Sequence, residues 1–146
     1  MFINLLPSST QVFGVHYSSF AKTHYLKEFQ KKYKGKQWDF TERSIFEDLS
    51  RLRMENNTTQ RSSQIDELKH KDTFWLAKYD FKIAGTKEST KSSGNRCIVY
   101  INIQTNHLEI LYIYHKDNLP KNCGETDHIM KTIETNFPNC WENLNN

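Results

Sequence analysis

Residues 74–114 read FWLAKYDFKIAGTKESTKSSGNRCIVYINIQTNHLEILYIY, and this stretch decides the fold. In its first part, 74–83, apolar and polar side chains alternate, which is typical of a β-strand with one buried face. The segment 96–103 is β-branched and apolar, as a central strand is. The segment 108–114 follows it across the short polar turn 104–107, and the two together predict a β-hairpin. The whole stretch therefore predicts three antiparallel strands.

The N-terminal part of the chain predicts a short strand followed by two helices. The strand is predicted at 12–17. From residue 18 or 19 onward, aromatic side chains recur at helical spacing as far as Gly35, where a helix end is expected, and this predicts a first helix. A second helix is predicted from Asp39, because Glu42 stands at the capping-box spacing and apolar residues follow with helical period.

The order of these segments predicts an α+β domain. Two N-terminal helices are expected to pack on one face of a twisted, mainly antiparallel sheet of about four strands, which leaves the other face partly free. A short C-terminal helix is predicted at 125–136 and a loose tail at 138–146. The polar residues 55–64 predict an exposed connection. We expect a single domain over residues 1–146, because two cores in a chain of this length would each be small.

Length and composition exclude several classes of protein. The chain has 146 residues, of which 36% are hydrophobic and 25% are charged, as in ordinary globular domains. No apolar run reaches the roughly 20 residues that a membrane helix needs, and the N-terminus lacks the pattern of a secretory signal. We therefore expect a cytoplasmic protein without a membrane partner. The 3 cysteines and 6 histidines show neither disulfide nor metal-ligand spacing, which predicts no bound metal and no cofactor.

Charge is distributed unevenly along the chain, although the formal net charge is only +3. Residues 20–36 carry six lysines and one acid, and the stretch 82–121 carries six bases against three acids. Residues 125–146 have four acids and one lysine. Basic regions attract phosphate backbones through electrostatic steering and counterion release. The same pattern is also typical of a solvated lysine face on a helix, so charge alone leaves the partner open.

Two predicted strands and the first predicted helix carry short recognisable motifs. The strand that ends at 81–83 is followed by a polar loop and then by Ser-Gly-Asn-Arg-Cys-Ile-Val-Tyr at 93–100. The next strand ends in Leu-Tyr-Ile-Tyr-His-Lys at 111–116, and the segment 20–33 is rich in lysine. These motifs resemble the RelE/ParE superfamily of type II toxins, and the segment 20–33 is similar to the first helix of that family. The resemblance covers about residues 12–136.

The resemblance implies a small toxin that a co-expressed antitoxin neutralises. Many members of the superfamily cut messenger RNA on the ribosome without a metal, whereas the ParE-type members poison DNA gyrase. We accordingly expect an endoribonuclease that cleaves mRNA, with a cognate antitoxin, mRNA and the ribosome as partners. The alternatives are a non-enzymatic inhibitor that binds gyrase and an inactive RNA-binding relative, because one fold can support several functions.

Candidate site residues follow from the resemblance together with their chemistry. Metal-independent RNA cleavage needs a base for the 2′-hydroxyl, a cationic clamp on the phosphate and a proton donor for the 5′ oxygen. Arg96 suits the clamp because a guanidinium binds phosphate bidentately, and we expect it to project from a sheet edge. A histidine can act as an acid or a base, which makes His115 a candidate. Tyr114 can stack on a base, and the family match adds Lys82 and Lys116. The residues expected to bind RNA are Lys27, Lys31, Lys34, Lys87 and Lys91.

Overall fold

The computed structural model describes residues 13–52, 54–55, 58–59 and 64–146. In these segments the elements are β1 (Gly14–Tyr17), α1 (Ser19–His24), α2 (Leu26–Lys32), α3 (Lys36–Ser50), β2 (Met54–Glu55), β3 (Thr58–Thr59), β4 (Ile65–Lys71), β5 (Phe74–Phe81), β6 (Asn95–Asn102), β7 (His107–His115), α4 (Glu125–Asn136) and α5 (Pro138–Asn145). A single 3-10 turn, Lys116–Asn118, follows β7. Most of the predicted connection at 55–64 lies outside the described residues. None of the helices in the described part is long and apolar enough to span a membrane.

Five strands form one mixed sheet in the order β1-β7-β6-β5-β4. Strands β4 to β7 are antiparallel neighbours, whereas β1 runs parallel to β7, with Tyr17 opposite Ile110. The α+β class is confirmed, and the strands predicted around 74–83, 96–103 and 108–114 are present as β5, β6 and β7. The sheet has more strands than the predicted four, because β4 is not among the predicted strands.

β4 is an edge strand that the sequence pattern does not predict. Five of the seven residues in IDELKHK are ionisable, so the apolar alternation from which strands are predicted is missing. A bulge between Glu67 and Lys69 interrupts its pairing with β5. Charged side chains and bulges are common on edge strands, where they prevent pairing with other chains. β4 is held in place by its hairpin with β5, whose turn contains Asp72 at a φ of 56°.

The N-terminal helical region contains three helices instead of the predicted two. The predicted first helix is broken at Tyr25, whose φ of −125° separates α1 from α2. α3 begins at Lys36, directly after Gly35 with its φ of 67°, so the predicted start at Asp39 with a capping box is wrong. The earlier start brings Trp38 into the core, where only 3% of it is exposed.

Helices cover both faces of the sheet. On one face, α3 contributes Ile45 and Leu49 to the larger core cluster. On the other face, α4 and α5 pack against β5, β6 and β7, so the expectation of a partly free face is wrong. The predicted helix at 125–136 is α4, but residues 138–146 are not a loose tail, because Pro138–Asn145 form α5. The buried members of this second cluster are Leu76, Ile98, Leu111, Tyr112, Tyr114, Ile129, Ile133 and Leu144.

Candidate functional site

The predicted catalytic residues are close to one another at one end of the sheet. β5 ends where β6 begins, and Asn95 at the start of β6 pairs with His115 at the end of β7. One position further into the sheet, Asp80, Arg96 and Tyr114 are cross-strand partners in a row. Directly paired residues point to the same face of a sheet. This row of three side chains, called the polar row below, lies under α4.

Arg96 is buried in the polar row and paired with two carboxylates. Its Nε lies 3.2 Å from Asp80 Oδ1 and 3.4 Å from Glu125 Oε2. Its Nη1 donates a hydrogen bond of 3.4 Å to the carbonyl of Asn95. Only 6% of the residue is exposed, so Arg96 does not project from a sheet edge as predicted. The reason is that α4 covers this face and brings Glu125 onto the guanidinium.

Glu125, the first residue of α4, connects Arg96 to two further side chains. The hydroxyl of Tyr114 donates a hydrogen bond of 2.6 Å to Glu125 Oε2, and Lys78 Nζ lies 3.7 Å from Oε1. Burial by itself would raise the pKa of Glu125, but the Tyr114 hydrogen bond and the charges of Lys78 and Arg96 outweigh it, so the pKa is lowered. Burial, together with the carboxylate of Glu125, raises the pKa of Tyr114. Glu125 is therefore an anion and Tyr114 a neutral donor at neutral pH.

Asp80 lies deeper than Glu125, with 2% of its surface exposed. Burial raises the pKa of Asp80, and the charges of Arg96 and Lys78 offset this only in part. Neither Asp80 Oδ1 nor Arg96 Nε makes a hydrogen bond of good geometry to a described residue, although the two atoms are 3.2 Å apart. Their contact is a close pairing of charges without an aligned hydrogen bond.

Both ring nitrogens of His115 are hydrogen-bonded. Nδ1 accepts a hydrogen bond of 3.1 Å from the backbone N–H of Asp117, so the proton of the neutral ring is on Nε2, which donates to the Ser93 carbonyl at 2.8 Å. The ring also packs on Gly94, where a Cβ atom would lie 2.8 Å from Cε1 and from Nε2. His115 can act as an acid or base only after one of these hydrogen bonds breaks.

The loop between β5 and β6 is hydrogen-bonded to the start of α3 at one end and to the residue after β7 at the other. At its first end, Gln37 Nε2 donates to the Ala84 carbonyl at 3.1 Å, and the Ala84 N–H donates to Thr41 Oγ1 at 2.8 Å. At its other end, the N–H of Lys116 donates to the Gly94 carbonyl at 2.9 Å. The lysines of this loop therefore lie between those that precede α3 and those that follow β7.

Exposed lysines around the start of α3, in the loop between β5 and β6 and after β7 form one group, which we call the basic end. The described residues include no carboxylate within 4 Å of any of their ammonium groups. Beside the group is a cleft of about 580 Å³, which Lys116, Lys121 and Glu125 line together with Asp117, Leu119, Pro120 and Cys123. The basic end consists of Lys34, Lys36, Lys82, Lys87, Lys91, Lys116 and Lys121.

The predicted RNA-binding lysines are all exposed, but the structure does not bring all of them together. Lys34, Lys87 and Lys91 belong to the basic end, and Lys31 lies in the last turn of α2 just before it. Lys27 lies at the other end of α2, and no described contact joins it to the rest. Three residues of this site were not among the predicted ones, namely Lys78, Asp80 and Glu125. Lys78 and Asp80 lie on the same face of the strand predicted at 74–83 as Lys82, and this pattern could have indicated them as site residues. Nothing in the sequence places Glu125 beside Arg96.

The cysteines and the other ligand-type residues form no site of their own in the described segments. No group of three His, Cys, Asp or Glu side chains there is arranged to hold a metal ion. Cys97, Cys123 and Cys140 are free thiols. Burial raises the pKa of Cys97, which lies in the core, and raises that of Cys140 to about 12. Both thiols therefore stay protonated at neutral pH, and the thiolate is the reactive form of cysteine.

Comparisons with protein-family models, with curated proteins and with solved structures find no match for this chain. The likeness to RelE/ParE toxins thus depends on the short motifs of the sequence and is a hypothesis.

Proposed function

We propose that this protein is an RNA-binding toxin of the RelE/ParE type, which binds the RNA backbone with its basic end and cleaves mRNA without a metal. One observation carries the proposal: exposed lysines from separate segments surround the end of the sheet that holds Arg96, Tyr114 and His115. Such a surface attracts a polyanion and gains affinity from counterion release. The motifs that resemble the toxin family lie on the same strands.

In this proposal, cleavage proceeds by attack of the 2′-oxygen on the adjacent phosphorus. The 2′-hydroxyl gives its proton to a base, the P–O5′ bond breaks, and O5′ takes a proton from an acid, which leaves a 2′,3′-cyclic phosphate and a 5′-hydroxyl. We assign the base to His115 Nδ1 after it releases the Asp117 N–H. Lys116 acts as the acid, Lys82 and Arg96 stabilise the negative charge on the phosphate, and Tyr114 orients the sugar.

The proposed partners follow from the same surface. mRNA, on the ribosome or free, would contact the basic end. A cognate antitoxin has to cover this positive surface, so we expect an acidic segment that is disordered alone and folds when it binds. Its association rate should fall with increasing salt, because electrostatic attraction mainly accelerates encounter.

The pairing of Arg96 favours a second candidate function, which is RNA binding without cleavage. Arg96 already has two carboxylate partners, Tyr114 donates to one of them, and both ring nitrogens of His115 are hydrogen-bonded. Three of the five proposed catalytic groups are therefore engaged within the protein. A protein that remained in this arrangement would bind RNA through lysines alone. A gyrase inhibitor, the ParE-like alternative, would likewise need no free Arg96.

RNA binding is tested by titrating a short labelled single-stranded RNA at several salt concentrations. Lys87→Ala and Lys116→Ala should each lower the affinity and reduce the slope of log K against log salt by about 0.7 per lost phosphate contact. Lys131→Ala, an exposed lysine on α4 outside the basic end, is the matched control and should bind as the wild type does. Equal affinity for all four proteins would overturn the assignment of the interface.

Cleavage is tested by inducible expression in cells followed by mapping of transcript 5′ ends. Growth arrest with new 5′ ends inside open reading frames, lost in Lys82→Ala, is the expected result. RNA binding that is intact while no new ends form would favour the non-cleaving alternative. Growth arrest without RNA binding would favour a protein target such as gyrase.

A further inference from the structure

The carboxylate of Glu125 is held by three side chains that together have the chemistry of an anion site. Arg96 Nε lies 3.4 Å and Tyr114 OH 2.6 Å from Oε2, and Lys78 Nζ lies 3.7 Å from Oε1. A guanidinium, an ammonium and a hydroxyl that converge on one group are what proteins use to bind oxyanions. In the structure, the anion in this site is the carboxylate of Glu125.

The fit between Arg96 and Glu125 is incomplete. Arg96 is 94% buried, yet its Nε makes no hydrogen bond of good geometry to any described residue. A buried charged donor without an aligned acceptor is unfavourable, and a ligand that supplies a better placed oxygen would relieve it. A phosphate group has more oxygens than a carboxylate and arranges them tetrahedrally.

The site lies directly behind the cleft of about 580 Å³ next to the basic end. Glu125 lines that cleft and also contacts Arg96, so its side chain stands between solvent and the guanidinium. Lys116 and Lys121 line the same cleft and have no carboxylate within 4 Å among the described residues. Asp117 and Glu125 line this cleft as well, and of the two carboxylates Glu125 is the one in contact with Arg96.

We propose that Arg96, Lys78 and Tyr114 form a binding site for a phosphate group, and that Glu125 occupies this site as an internal competitor that must swing out before the ligand enters. The identification of the ligand as an RNA phosphate rests on the proposed function, whereas the competition by Glu125 does not. Glu125 then regulates access to Arg96, and an arginine with two carboxylate partners can still serve an RNA-binding surface.

The probe for this site is inorganic phosphate, and the readout is the NMR signal of the Arg96 Nε–H group during a phosphate titration. Glu125→Gln keeps the size of the side chain and removes its charge. It should tighten phosphate binding at Arg96 about tenfold, because a site that is mostly occupied from within loses apparent affinity in that proportion. The matched control is Asp127→Asn, which removes an acid from the same first turn of α4 and should bind phosphate as the wild type does.

Three results separate the possible failures. Equal phosphate affinity in the wild type and in the Glu125→Gln and Asp127→Asn variants would overturn the proposal, as would an Arg96 Nε–H signal that does not move with phosphate. Glu125→Ala, which removes the carboxylate and shortens the side chain, is the second variant if Glu125→Gln does not fold, and it should also tighten binding. Phosphate binding at Arg96 that tightens in Glu125→Gln, in a protein that does not bind RNA, would uphold the competition by Glu125 and refute the proposed function.

Discussion

Replacement of Gly94 by alanine should destabilise the protein through two separable effects. Gly94 has a φ of 80°, and L-residues in left-handed conformations cost roughly 1–2 kcal/mol each. A Cβ atom would also lie 2.8 Å from two ring atoms of His115 and 3.2 Å from Lys116 Cγ. The ring cannot stay in place at that distance, and if it turns away it loses the hydrogen bond to the Ser93 carbonyl, about 1–2 kcal/mol when the carbonyl is left buried.

The expected loss is therefore about 2–4 kcal/mol in the free energy of unfolding, or about 10 °C in Tm for a chain of this size. Gly85→Ala is the matched control, because Gly85 has a φ of 85° but nothing within 4 Å of its Cβ position. It should lose only the backbone contribution, roughly 1–2 kcal/mol. Urea unfolding followed by circular dichroism measures both variants.

A double-mutant cycle isolates the contact with the imidazole ring. In a His115→Ala background the additional cost of Gly94→Ala should fall to that of Gly85→Ala, because only the backbone conformation is then unfavourable. If Gly94→Ala and Gly85→Ala cost the same in the wild-type background, the ring is not fixed on Gly94, and the argument for a constrained His115 is refuted.

Three further variants test other parts of the structure, each by urea unfolding. Arg96→Met should cost about 3–5 kcal/mol because it leaves the buried Asp80 without its cation, and the double variant with Asp80→Asn should recover part of this loss; no recovery would contradict the pairing. Because the pKa of Glu125 is lowered on folding, its ionisation stabilises the protein above the unfolded pKa of 4.5, and the stability difference between wild type and Glu125→Gln should shrink as pH falls below that value. A difference that grew instead would reverse the sign of the interaction. Leu144→Ala should cost about 2–4 kcal/mol, whereas a loose C-terminal tail would tolerate it without loss.

Sequence reasoning could predict the elements whose side chains repeat with a clear period. β5, β6 and β7 carry enough β-branched and aromatic residues, between polar turns, to be recognised from the sequence alone. α4 was predicted at its observed bounds. α5 was missed although Phe137, Trp141 and Leu144 stand at helical spacing and pack on the second core cluster. The helical spacing that predicts α5 is therefore present in the sequence. The segment is also terminal and mostly polar, and these two features favoured its interpretation as a loose tail.

The arrangement around Arg96 could not be predicted in the same way. Antiparallel pairing brings the end of β5, the start of β6 and the end of β7 together, so the proximity of Lys82, Arg96 and His115 is a consequence of topology. The position of Glu125 depends on the angle at which α4 crosses the sheet, and tertiary packing sets that angle. The sequence therefore indicates which residues meet at this end, but it does not indicate that Arg96 is enclosed between two carboxylates.

The parallel pairing of β1 with β7 has a consequence for the order in which the chain folds. Ser18, next to β1, bonds through its Oγ to the carbonyl of Leu111, a partner 93 residues away. During synthesis β1 emerges long before its partner exists, while the three N-terminal helices and the hairpins can form from local contacts. Such distant contacts slow folding because the intervening chain must be ordered first. We expect β1 to join the sheet last, so that nascent molecules expose the free edge of β7 and are most prone to aggregate at that stage.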